Sequence, residues 1–105
     1  MSISIDDVIF KGDDFEISDA LKEITTKKIN KNLIKHFNKW ISSIDVIMKV
    51  DSNDQQIAEI NVHVPKTVLN ASAKTDDMYM SIDKMLHKIE AQLEEFKGRN
   101  LGHQQ

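Results

Sequence analysis

Six lysines, Lys22, Lys27, Lys28, Lys31, Lys35 and Lys39, recur at intervals of one to five residues between residues 18 and 41. Only Asp19 and Glu23 oppose them, a local charge of +4 in a chain whose formal net charge is −3. Lys28, Lys31, Lys35 and Lys39 follow a 3-4-4 spacing, which on a helix makes a ridge. An ammonium group is a compact point charge that meets phosphate oxygens without a demand for planar geometry. A ridge of lysines without matching acids therefore suits a phosphate backbone. The same spacing also fits a merely solvated helix face.

Other chemistry-bearing residues form no constellation. His36, His63, His87 and His103 share no metal-ligand spacing, so no metal site is expected. Ser81, Asp83 and His87 are close in sequence, but on one helix they do not aim at a common reacting atom. The acid pairs Asp6-Asp7, Asp13-Asp14 and Asp76-Asp77 fall at turns or helix starts, where hydrogen bonding and the helix dipole explain them. DSND at 51–54 lacks the glycine and terminal glutamate of a calcium loop, and no glycine-rich phosphate loop exists. With no cysteine there is no disulfide framework and no thiolate ligand. No catalytic residues, no cofactor and no enzymatic activity are expected.

The elements that would position the lysines are legible from periodicity. ISIDDVIF, residues 3–10, is β-branched and aromatic and predicts a strand, with a turn over KGDDFE. Ser18 is a suitable N-cap, and a helix should run from there to about Trp40. Its apolar residues change face: Ile17, Leu21 and Ile24 share one side, Leu33, Phe37 and Ile41 another, with Ile29 between. The slip centres on Asn30-Lys31-Asn32 and predicts a kink, a π-bulge or a break. Residues 43–51, 57–64 and 67–74 alternate as three strands joined by turns at 52–55 and Pro65-Lys66. Ile44, Val46, Met48 and Val50 face inward, as do Ala58, Ile60, Val62 and Val64, and Leu69, Ala71 and Ala73. Met78, Ile82, Met85, Leu86, Ile89, Leu93 and Phe96 then make one amphipathic stripe, ended by Gly98. Lys84 and Lys88 lie on one flank of it, with Asp83, Glu90 and Glu94 on the other. If the two helices pack side by side, those lysines can extend the first ridge.

The order β-α-β-β-β-α reads as α+β, with a four-stranded, largely antiparallel sheet and two helices packed on one face. The other face, carrying Asp45, Lys49, Glu59, Asn61 and His63, should be wet. A length of 105 residues and 40% hydrophobic composition suit a single domain. No signal peptide is visible, and no apolar run approaches the roughly 20 residues of a membrane span, so a cytoplasmic protein without membrane contact is expected.

FEISDALKEITTKKINK, IDVIMKV and LNASAKTDDMYMSIDKMLHKIEAQL together resemble the short hibernation-promoting factors, also known as ribosome-associated inhibitors, ribosomal subunit interface proteins or sigma-54 modulation proteins. The most specific block is A-S-A-x-x-x-D-M-Y-x-x-I-D, here Ala71-Ser72-Ala73 through Asp77-Met78-Tyr79 to Ile82-Asp83. The resemblance spans about Val8 to Arg99. It implies the β-α-β-β-β-α fold and binding to the small ribosomal subunit in the channel used by messenger and transfer RNA. It also implies blocked initiation and stored, inactive ribosomes under starvation or stress. Basic residues on the helices would meet ribosomal RNA phosphates; the matched positions are Lys22, Lys28, Lys31, Lys49, Lys84 and Lys88, with Lys35 added from the ridge. Two departures stand out. The second helix ends in an acidic stretch, EAQLEEFKGRN, where family members are often basic, and residues 32–43 are about two residues longer than usual.

The expected organisation is a ribosome-binding domain over 1–98 and a short flexible tail over 99–105, monomeric when free. Because the chain stops before the dimerisation domain of long members, it is not expected to pair ribosomes by that route. The alternative reading is a protein-interaction module that uses the exposed sheet face, with Asp45, Glu59 and His63 in the leading roles and weak or no ribosome binding.

Overall fold

The computed structural model describes residues 7–102. Its elements are β1 (Val8–Asp13), α1 (Asp19–Ile29), a π-helical segment (Asn30–Ile34), one helical turn α2 (Lys35–Phe37), β2 (Ser43–Val50), β3 (Gln56–Val64), β4 (Thr67–Thr75) and α3 (Met78–Gly102). The strands form one sheet in the order β1-β2-β3-β4. β2, β3 and β4 are joined by tight turns and pair antiparallel. β1 pairs parallel to β2, because the α1 crossover returns the chain to the same end of the sheet.

Alternation in the strands decides which face is buried. Ile44, Val46 and Met48 of β2, Ala58, Ile60 and Val62 of β3, and Ala71 and Ala73 of β4 point to one side and are buried. Val50, expected inside, is half-buried at the strand's end. Ala58 and Ala73 are directly paired, as are Ile60 and Ala71. The three alanines let α3 approach the sheet, where Met85, Ile89 and Leu93 are fully buried.

The expected strand over 3–10 falls partly on residues outside those described. Where it is described, it continues through Lys11-Gly12-Asp13 rather than turning there. Gly12 permits this: a Cβ at that position would run into the backbone carbonyl of Phe15 as the chain folds back. Within the stretch KGDDFE the turn falls on Asp14, which takes the left-handed conformation at φ 51°.

Ser18 caps α1 as expected, its Oγ accepting from the Leu21 N–H at 3.1 Å. The buried positions include Leu21, Thr25, Ile29, Leu33 and Phe37, each four residues after the last, with Ile34 buried beside Leu33. In an α-helix every four-residue step advances about 40° beyond a full turn, so the stripe would drift off the sheet. The π segment has a wider turn and rewinds it, which is the phase slip expected at Asn30–Asn32. Ile24, expected on the inner face, is 37% exposed. Thr25 occupies that place instead, because its hydroxyl donates to the Leu21 carbonyl at 2.8 Å and leaves its methyl for the core.

Asp77 caps α3, accepting from the Tyr79 N–H at 2.9 Å. Buried Ser81 donates to the Gln56 carbonyl at 2.7 Å and shares a 2.8 Å hydrogen bond with Thr75, pinning the start of α3 to the sheet. Gly98 does not end the helix, which continues to Gly102. Gly98 does not adopt the left-handed conformation of a helix stop, and helix propensity penalises a glycine by only about 1 kcal/mol. The last residues of the expected tail, 103–105, lie outside those described.

Both long helices lie on the inner face and run in the same direction. Lys28 of α1 meets Asp83 near the start of α3. Further along, the Trp40 ring meets Phe96 edge-on, with centroids 5.7 Å apart.

Candidate nucleic-acid interface

The side-by-side packing sorts the lysines into separate groups. Lys31 and Lys35 stand on the outer surface of the α1–α2 helix, exposed and, among the described residues, without an ion pair. Lys22 lies towards β1, its Nζ 5.6 Å from the centre of the Phe10 ring. Lys28 turns inward to α3 and holds Asp83 at 2.6 Å. Lys27 sits 3.6 Å from Glu23 one turn away, a contact of little energy at such exposure. Lys39 packs its Nζ 5.6 Å from the Trp40 ring centre.

Lys84 and Lys88 do not extend the α1 ridge. The flank of α3 that faces α1 is the acidic one: Asn32, Asp83, Leu86, His87 and Glu90 line a groove of about 230 Å³ between the helices. Lys88 projects from the opposite flank and donates to the Ser72 carbonyl on the outer edge of β4 at 2.7 Å. Gln92, one turn on, donates to the Asn70 carbonyl at 2.7 Å. Helix spacing of four thus matches strand spacing of two, and these side chains cover an otherwise open sheet edge.

Lys49 lies on the outer sheet face, away from both helices. There it lines an open cleft with Ile57, Glu59, Ser72, Lys74 and Lys88. Lys74 was not among the expected contacts. Its signal was present, since the alternation that turns Ala71 and Ala73 inward turns Lys74 out. The rest of this face is held by its own polar groups. His63 Nε2 lies 3.0 Å from Asp45 Oδ2, and Asn70 donates to Glu59 at 2.9 Å and Asn61 at 2.7 Å.

Among the described residues, the Asp51 carboxyl is held below its ordinary range. Asp51 closes the β2–β3 turn by accepting from the Gln55 and Asn53 N–H groups, at 3.0 and 2.9 Å. These bonds, with Lys74 at 3.3 Å, hold its pKa low against the opposing effect of burial. Among the described residues no group of three or more histidine or acidic side chains is placed to hold a metal ion, and no helix is long and apolar enough to cross a membrane.

The family model described as sigma 54 modulation protein / S30EA ribosomal protein matches residues 8–100. The chain belongs to this family. It is 35% identical over 98 residues to a ribosome hibernation promoting factor of Azotobacter vinelandii, covering 93% of this chain and 89% of that one. It is 28% identical to a ribosome hibernation promotion factor of Picosynechococcus, covering 90% of this chain but only 51% of that longer protein. The solved structure of a ribosomal subunit interface protein from Coxiella burnetii superposes with a TM-score of 0.79 at 35% identity, over 87% of this chain and 97% of that one. The fold is therefore that of the ribosomal subunit interface proteins, including the parallel β1–β2 pair. Proteins of this family bind rather than catalyse, so the chain is not an enzyme.

Proposed function

We propose that this protein is a ribosome-binding translation inhibitor. In this reading it occupies the messenger and transfer RNA channel of the small subunit and holds ribosomes inactive under stress. It acts in the cytoplasm, as a monomer when free, through one domain formed by residues 1–98. Kinship with ribosome hibernation promoting factors supports the ribosome as partner. The observation that carries the RNA contact is the pair Lys31 and Lys35, exposed on the most basic segment with no acid among the described residues holding either. Their ammonium groups are free to displace counterions from a phosphate backbone, the main source of affinity in such complexes. Lys22 and Lys28 stand beside them but already have partners, Phe10 and Asp83, and would exchange those contacts for phosphate.

Co-sedimentation with purified small subunits over a range of salt tests the reading. Binding at low salt should weaken steeply as salt rises. Replacing Lys31 and Lys35 together by Glu should lower affinity at least about tenfold without altering the fold, since each phosphate contact contributes a share of the salt-dependent term. Absence of co-sedimentation even at low salt would remove this function from consideration.

A further inference from the structure

Both long helices begin at one end of the sheet. Asp13 stands in register with Lys49, and Val50, Gln56 and Thr75 lie side by side, so the end of β1, the β2–β3 turn and the start of α3 meet there. Five large apolar side chains are exposed among the described residues, and three of them, Ile24, Tyr79 and Met80, stand at this end. Tyr79 is 46% exposed and Met80 49%. Lys28 and Asp83 join the two helices, and one turn back on each stand Ile24 and Tyr79. α3 packs more closely on the π segment than on α1, so the helices stand apart at their starts. A small apolar notch results, with Ile24 on one wall and Tyr79 and Met80 on the other.

The surroundings of the notch are acidic. The stretches 12–21, 51–55 and 75–83, which form this end, hold nine of the 17 acids and no lysine or arginine. Three of the nine have a basic neighbour: Asp51 holds Lys74, Asp83 holds Lys28, and Asp13 is in register with Lys49. Asp77 caps α3. Asp14, Glu16, Asp19, Asp54 and Asp76 are exposed and, among the described residues, without an ion pair. Lysines also flank the notch: Lys27, held by Glu23, and Lys84, one turn past Met80. Lys22 turns away towards Phe10 of β1.

We propose that this notch docks a basic segment of a partner protein. One apolar side chain of that segment seats against Ile24, Tyr79 and Met80, and lysine or arginine on either side of it faces the acids. Burial of the apolar side chain holds the segment, while the surrounding carboxylates attract a cationic chain and repel a polyanion. The charge at this end therefore selects protein over RNA, and the surface is separate from the face that bears Lys31 and Lys35. The inference goes beyond the ribosome-binding reading and does not depend on it.

Amide chemical shifts of isotope-labelled protein, followed during titration with synthetic heptapeptides, test the site. The first peptide has lysines and arginines around a central leucine, the second replaces the leucine by alanine, and the third replaces every basic residue by glutamine. The first should bind with a dissociation constant on the order of 0.1–1 mM, shift the amides of Ile24, Tyr79 and Met80, and weaken as salt rises. The alanine peptide should bind about fivefold more weakly, and the glutamine peptide should leave the spectrum unchanged. Ile24→Ala/Tyr79→Ala should lower affinity for the first peptide by about fivefold as well. Val68→Ala, exposed at the opposite end of the sheet, should not change it. Shifts confined to other surfaces, equal binding of the leucine and alanine peptides, or wild-type affinity in Ile24→Ala/Tyr79→Ala would overturn the docking site. Poly(U) should leave the three amides in place; if it shifts them, the notch stacks bases and the protein contact is overturned.

Discussion

Gly12 and Gly98 differ in what a methyl group would meet. At Gly12 an added Cβ collides with the Phe15 backbone carbonyl, which cannot move without unpairing the end of β1. At Gly98 the space is open and the backbone is helical. Gly98→Ala should therefore stabilise the protein by about 0.5–1 kcal/mol, through the lower entropy cost of alanine in a helix. Gly12→Ala should destabilise it by more than 1 kcal/mol, and thermal unfolding of the two variants should shift in opposite directions. Asp51 makes a prediction in pH. Its folded pKa is depressed, so its contribution is present above the ordinary carboxylate value of about 4 and is lost as pH falls through the folded value. Asp51→Asn should be less stable than wild type at neutral pH, with the difference shrinking in acid. A gap between the two denaturation midpoints that does not narrow between neutral pH and pH 2 would refute it. The cap at Ser18 and the outward Lys74 were readable from residue type and alternation. The inward place of Thr25 was not, because it depends on a hydroxyl satisfying a carbonyl four residues back.

At the scale of elements, the π segment decides how α1 sits on the sheet. Leu21, Thr25, Ile29, Leu33 and Phe37 keep a constant spacing of four, which an unbroken α-helix cannot keep on one face. Deleting Asn32 changes one interval to three and restores the ordinary 3-4 alternation. The variant should fold cooperatively with a continuous helix and a stability within about 1 kcal/mol of wild type, a shift of a few degrees in Tm. Amide exchange in residues 29–35 should slow as the π turn disappears. Failure to fold would mean that the segment does more than correct phase. The slip was visible in the sequence as two apolar sets on different faces. The helix continues past Gly98, which the sequence marks as its end, because that glycine keeps helical dihedrals and a glycine stop needs the left-handed conformation.

At the scale of the molecule, a net charge of −3 coexists with a basic helix face because most of the acids stand away from Lys31 and Lys35. Asp83 and Glu90 face the groove between the helices, while Lys31 and Lys35 stand outside it and Lys49 and Lys88 border the far cleft. Steering of a polyanion depends on the local field within about 10 Å at moderate salt, so this separation counts for more than the total. The order of elements, the inward row of each strand, the phase slip of the first helix and the family were all determined by the sequence, because they are set by neighbours a few residues apart. The tertiary structure alone decided which side of α3 faces α1. That choice pairs Lys28 with Asp83, sends Lys88 to the carbonyl of Ser72 and divides one expected lysine ridge into two. Periodicity places a residue on a face of its own helix, but only the packing of that helix against its neighbours determines what the face meets.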